Sequence, residues 1–291
     1  MFFQKEDYFT GNKIKIMSLK DKRVILNEKK SMFLISIMKY GFNSFVWGSS
    51  FDTSLLKMVK ISLPIRNDNT IDFDFMDTFI SELEAYHISE LEAYLKASGL
   101  KDYKLTKDEI KALDSYSNNE IELFEVEFKD IFENIKQGRR LKKEDHISGD
   151  IPFIMAGVTN TGVANYISNP IVMFPKNSIT IDIFGNCFYR DYEYSAGDDN
   201  GVYWSDKNKY NKLEMLYFTT SMQKFLNGKY SYGKKLRSSQ SLKFKMMVPM
   251  KNNNIDYEFM KNLISAVEKL IIKDVVLYSK RKIYETKKVI S

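Results

Sequence analysis

The chain has 291 residues, 44% hydrophobic and 28% charged, with a formal net charge of +6. This is a globular composition, long enough for two domains, and its basic balance suits a polyanionic partner such as nucleic acid. The lone Cys187 excludes a disulfide within the chain and fits a reducing cytoplasm; the opening MFFQKEDYF lacks a signal-peptide core, and the most apolar window, LIIKDVVLY, is broken by Lys273 and Asp274, so neither secretion nor a membrane span is expected.

An internal repeat sets the order of elements. At an offset of 185, Phe33 matches Phe218, Ser36 matches Ser221, Lys39 matches Lys224, Gly48 matches Gly233 and Ser54 matches Ser239. The register continues through Lys60 and Lys245, Pro64 and Pro249, Asn67 and Asn252, and Asn69 and Asn254. After one extra residue, Thr70, IDFDFMDTFISELE (71–84) lies on IDYEFMKNLISAVE (255–268), with seven identities in fourteen positions. FFQKEDYFT (2–10) falls on CFYRDYEYS (187–195), so the first copy enters the repeat at its middle. The second copy has a front half reaching back to about Glu120. So long a period means domain duplication and not a solenoid.

Residues 1–69 therefore read as a truncated first module and 70–104 as a first long helix; 105–250 read as a complete module and 251–291 as a second long helix. Asp72 and Asp256 are natural N-caps, with Asp74 and Glu258 adding negative charge to the first turn. Met76, Phe79, Ile80, Leu83, Ile88, Leu91 and Leu95 recur at helical steps, and Gly99 stands at the C′ position. Met260, Leu263, Val267, Leu270 and Leu277 repeat that face in the second helix. Helices of about 28–36 residues with an apolar seam suit an antiparallel coiled coil; the alternative is separate packing of each helix on its own module.

Within the complete module IPFIMAG, SITIDIF and LKFKMMVPM read as strands, VTNTGV and SAGDDNG as loops, and NKLEMLYFTTSMQKFL (211–226) as a helix. Pro64 and Pro249 suit strand ends. The fold class is α+β: mixed α/β modules alternating with two long helices.

Catalytic signatures are missing. One cysteine and two scattered histidines, His87 and His146, make no zinc cluster, and there is no nucleophile elbow, P-loop or G-x-G-x-x-G. The acidic pair in GDDNG reads as a polar turn. No covalent chemistry is expected of this chain.

Four segments in order resemble the specificity (S) subunit of type I restriction–modification enzymes and its type IIB/IIG-like relatives. They are GDIPFIMAGVTNTGVANYI (149–167), ITIDIFGNCFYRDYEYSAGDDNGVYW (179–204), YSYGKKLR (230–237) and VPM (248–250). The resemblance implies target recognition domains that each read half of a split DNA sequence. It also implies helices that set the spacing and dock methyltransferase subunits. A restriction/translocase subunit would join for cleavage. S-adenosylmethionine, ATP and Mg would belong to those partners, leaving this chain non-catalytic, without cofactor, and cytoplasmic. It departs from the family in having about one and a half modules, which points to self-association or a companion half-subunit. Two other readings are the recognition region of a single-chain endonuclease–methyltransferase, and a helix-mediated decoy of such a complex.

Affinity for DNA comes mostly from cations on phosphates, and specificity from side chains at base edges. The candidates are Lys234, Lys235 and Arg237 with Tyr232 beside them, and Arg139, Arg140, Lys142 and Lys143 in QGRRLKKED. Asn160 and Thr161 at a loop tip, and Arg190, complete the set; asparagine pairs naturally with adenine. A solvated basic face is the alternative for each run. The counterpart of SYGKKLRSS (231–239) is VWGSSFDTS (46–54), where Ser and Asp replace the cations. The expectation is that the first copy survives as scaffold and the second reads DNA.

Overall fold

The computed structural model describes residues 1–42 and 53–290. The chain divides into two compact units, Met1–Lys101 with Asp274–Ser291, and Asp102–Lys273.

The first unit is helical where it is regular. Helix α1 (Glu28–Gly41) starts at Asn27, whose side chain accepts from the Lys30 amide at 2.9 Å; α2 spans Thr53–Met58. Helix α3 (Phe73–Ala97) starts at Asp72, which accepts from the Phe75 amide at 2.9 Å, and stops at Gly99, whose φ of +72° a side chain would oppose. It is 25 residues long, shorter than expected, with Gly99 at the expected C′ position. Helix α1 lies on α3 through Phe33, edge-on to Phe75 and Phe79, and through Lys30–Asp77 at 3.0 Å. In the same unit Ser279, on the last helix, donates to Glu92 at 3.3 Å.

The second unit opens with α4 (Lys107–Ser117), closed by a Thr106–Glu109 capping box. It continues with β1 (Leu123–Glu127), α5 (Phe128–Ile131), β2 (Asn134–Gln137), β3 (Ser148–Ile154), β4 (Val163–Ile167) and β5 (Ser178–Asp182). Next come β6 (Cys187–Arg190), β7 (Ser195–Ala196), β8 (Asn200–Trp204) and α6 (Lys212–Leu226). The last elements are β9 (Lys245–Lys251), β10 (Asn254–Ile255) and α7 (Tyr257–Ile290), which runs on past the unit boundary at Lys273. Three sheets form, ordered β2-β8-β5-β6, β4-β3-β7 and β1-β9-β10. Every residue of β5 and β8 is buried. Against them lie Met215, Phe218, Met222 and Leu226 of α6, with Phe128, Phe132, Met246 and Val248, in the main core. The expected strands and the 211–226 helix all form. Pro249 occupies the last rung of the β1–β9 ladder, opposite Leu123, where its missing N–H does least harm.

The repeat is visible as geometry. The Asp72 amide donates to the Pro64 carbonyl at 2.9 Å, and Asp256 to Pro249 at 2.8 Å. Ile65 pairs with Ile71, as Met250 pairs with Ile255. Asp256 caps α7 through the Phe259 amide at 2.9 Å, as Asp72 caps α3. Between β9 and β10 the chain turns on Asn252 and Asn253, both at positive φ, the requirement of a two-residue type I′ turn. In the first copy Arg66 and Thr70 face each other across a loop one residue longer, with only Asn69 at positive φ.

The copies differ further in their strands. No β-strand forms among the described residues of the first unit. In the second unit β6 and β8 pair with β5, β8 also with β2, β7 with β3 and β9 with β1, so each relies on a strand before residue 187. Of the named strands only β9 and β10 pair within the back half, and among the described residues of the first unit only their counterpart, the Ile65–Ile71 bridge, is present. Among the described residues no helix is long and apolar enough to cross a membrane.

Candidate nucleic-acid interface

The loops carrying Arg139, the Asn160–Thr161 pair and Arg237 meet around residues 196–200. The loop after β3 is fixed at three points. Ala156 donates its amide to Asp199 at 2.8 Å, Gly157 to Asp182 at 3.1 Å, and Met155 to the Gly162 carbonyl at 2.9 Å. Gly162 has φ +84°, and a Cβ there would stand 2.7 Å from the Met155 carbonyl oxygen. At the exposed tip Asn160 (φ 48°) and Thr161 (φ 52°) are both left-handed, which β-branched threonine rarely tolerates.

Arg190 holds that tip from inside. It is 1% exposed, and its guanidinium donates to the Thr161 hydroxyl at 3.1 Å and to the Thr161 carbonyl at 2.5 Å. It also bonds the Thr180 hydroxyl and the Tyr192 hydroxyl, and sits over the rings of Phe188 and Tyr194.

The 196–200 loop ties in the rest. Gly197 donates to the Ile154 carbonyl and Arg139 to the Ala196 carbonyl, both at 2.8 Å. Gly138 runs so close to this loop that a Cβ would come within 2.2 Å of the Gly197 oxygen. The Asp198 carbonyl accepts from Gln137 Nε2 at 2.9 Å and from the Arg237 guanidinium, while Gln137 Oε1 accepts from the Ser238 amide at 2.9 Å. Leu236 is buried, its amide on the Ile183 carbonyl, which anchors the exposed segment before it. In that segment Lys235 lies 4.6 Å from the Tyr232 ring and Lys234 5.6 Å from Tyr230. Tyr232 is 82% exposed.

Cations, an amide and exposed aromatic surface on backbone-locked loops form a surface fit for a nucleic-acid duplex. The family model described as the type I restriction modification DNA specificity domain matches residues 1–93 and 120–277. The chain belongs to that family. It is 26% identical over 278 residues to the specificity subunit S.BcgI of a type II restriction enzyme from Heyndrickxia coagulans, covering 93% of this chain and 75% of that one. The fold is similar to the S subunit of a type I restriction–modification system from M. genitalium, at a TM-score of 0.55 and 16% identity, covering 91% of this chain and 70% of that one.

For this specificity domain the structure sorts the candidates. Lys234, Lys235, Tyr232, Arg139, Arg140, Lys142, Lys143, Asn160 and Thr161 are all exposed. Lys142 faces Glu144 at 3.9 Å. Arg237 is exposed but holds the Asp198 carbonyl, so it joins loops as well as adding charge. Arg190 is a correction to the expectation of an exposed contact: it is buried, and its guanidinium is taken up by Thr161, Thr180 and Tyr192. VWGSSFDTS lies outside the described residues up to Asp52.

Gln137 and Asp182 do not stand out in the sequence, and Asp199 reads there as part of a polar turn; all three fix loop positions. Asp182 precedes a Phe-Gly-Asn turn and accepts from the Phe184 and Asn186 amides, a local pattern that sequence reading could have found. His146 lies edge-on to Phe153 at 4.9 Å, and among the described residues no group of His, Cys, Asp and Glu could hold a metal. Burial pushes the Cys187 thiol above its ordinary range.

Proposed function

We propose that this specificity domain is the non-catalytic target-recognition subunit of a restriction–modification complex. Its Asp102–Lys273 unit reads one half of a split DNA target. Lys234, Lys235, Arg139 and Arg140 meet phosphates, and the Asn160–Thr161 tip meets base edges. Helices α3 and α7 pair and dock methyltransferase subunits, which bring S-adenosylmethionine and the chemistry. The observation that carries this reading is the strained, exposed Asn160–Thr161 tip clamped by a fully buried arginine. Strain of roughly 1–3 kcal/mol per residue persists only where surrounding structure enforces it, and such enforcement clusters at binding sites.

The test is selection from a random duplex pool with the methyltransferase present, followed by sequencing of the bound fraction. A defined half-site, lost when Asn160 and Thr161 are both replaced by alanine, is expected. A sequence-independent bound fraction would remove the reading.

A further inference from the structure

The segment between Tyr230 and Leu236 holds one aromatic ring out into solvent. Ser231 and Lys234 exchange both backbone hydrogen bonds, at 3.1 and 3.0 Å, so Tyr232 and Gly233 form the tip of a two-residue turn. Both ends of the segment are anchored. Tyr230 packs against Phe244 at 6.3 Å, and the buried Leu236 donates its amide to the Ile183 carbonyl at 2.9 Å. Residues 231–235 between them are all exposed. Tyr232 belongs to neither buried cluster of the unit, so the packing does not need its ring. The Lys235 ammonium lies over one face of that ring, and at 82% exposure the opposite face is open. The turn is also tied to the Asn160–Thr161 tip. Arg237, next to Leu236, holds the Asp198 carbonyl, and Asp199 accepts the Ala156 amide of the loop that carries the tip.

We propose that Tyr232 is a stacking wedge. Its open face stacks on a base at one step of the bound duplex, which unstacks that step and kinks the DNA. The inference rests on the reading of the Asp102–Lys273 unit as a DNA reader. Contact with the phosphate backbone alone would be served by Lys234 and Lys235, without a ring held between them. Those lysines draw phosphates onto the turn and so bring the base step to the tyrosine. An aromatic face stacks on any base, because every base has a π-face. A side chain inserted at a step partly unstacks it and bends the duplex. The Lys235 ammonium on the far face of the ring adds cation–π attraction and stays within reach of the backbone. Since the turn already fixes the main chain, only the two torsions of the tyrosine side chain are left to order. Such a wedge selects sequence through deformability, and pyrimidine–purine steps give way most easily.

The test is permanganate oxidation, which attacks thymines that have lost their stacking. A random duplex pool is bound by the full 291-residue chain with the methyltransferase present, oxidised and sequenced. A reactive thymine is expected at one fixed offset from the selected half-site, within a pyrimidine–purine step. Tyr232→Ala should remove that reactivity and weaken binding by about tenfold. Tyr232→Phe keeps the ring and should retain both. A defined half-site without a reactive thymine overturns the wedge and leaves the reading of DNA standing. Reactivity that persists in Tyr232→Ala comes from the methyltransferase and also overturns it, as does its loss in Tyr232→Phe. A pool with no defined half-site removes the reading and the wedge together.

Discussion

Arg190 donates to both the hydroxyl and the carbonyl oxygen of Thr161, so an interior cation fixes an exposed residue in left-handed backbone. The guanidinium is suited to this task because its planar fork reaches several acceptors at once, which a lysine ammonium cannot reproduce. Arg190→Met leaves the buried Thr180 hydroxyl without that donor and frees the tip. Unfolding free energy should fall by about 1–3 kcal/mol. Sequence preference in a random duplex pool should weaken more than total affinity, and Arg190→Lys should not restore it. Urea unfolding and pool sequencing report the two effects separately. An unchanged preference in Arg190→Met would show that the tip does not read bases.

The exposed cations should act through salt. Each cation removed from a phosphate lowers the slope of log affinity against log salt by about 0.9. Replacing Lys234 and Lys235 with alanine should therefore flatten the slope by up to about two of these increments and leave the preferred sequence intact. Fluorescence anisotropy on a labelled duplex across a salt series measures it. A parental slope would place both lysines away from the DNA.

Gly138 is required by space and not by its dihedrals. A Cβ would meet the Gly197 and Ala196 oxygens at 2.2 and 2.5 Å, and both belong to backbone that cannot swing aside. Gly138→Ala should destabilise the Asp102–Lys273 unit by about 1–3 kcal/mol or more. It should also displace the Arg139 amide from Ala196. Thermal unfolding of the variant checks the first effect.

Glu133 gives the same unit an acid-sensitive tie. Burial by itself raises its carboxyl, yet the Lys207 and Asp206 amides and the Ser205 hydroxyl outweigh that and hold it at about 2. A carboxylate lowered on folding contributes stability above its unfolded value of 4.5, and that stability is lost as pH falls toward 2. Glu133→Gln should lower stability at neutral pH and flatten the decline between about pH 4.5 and 2. Urea midpoints over that range decide it; parallel curves would rule out this tie.

What the sequence made legible was local or repeated. Asp72 and Asp256 announce their helices because an N-cap is an interaction over three residues, and Gly99 announces an end for the same reason. The duplication places the modules because two copies of one pattern share one register. Arg190 reads wrongly from sequence because arginine is usually a surface residue, and nothing within several positions reveals that Thr180 and Thr161 converge on it. The joining of Gln137 and Arg237 at Asp198 is hidden in the same way, over 61 and 39 residues of separation. Strand pairing is equally non-local. By the repeat, 15–19 and 60–64 of the first copy match β8 and most of β9, yet no strand forms there, because pairing depends on partners that sequence periodicity does not count.

The joint ahead of each long helix tolerates a change of length. The first copy carries Thr70 in excess, yet Pro64 to Asp72, the Ile65–Ile71 rung and the Asp72 cap keep the geometry seen at Pro249, Ile255 and Asp256. The whole difference is absorbed in the turn, between one left-handed asparagine and two. Such a joint works as a shim. Modules of unlike sequence and slightly unlike length can stand above it without moving the first turn of the helix below, so a module can vary while the start of its helix stays constant.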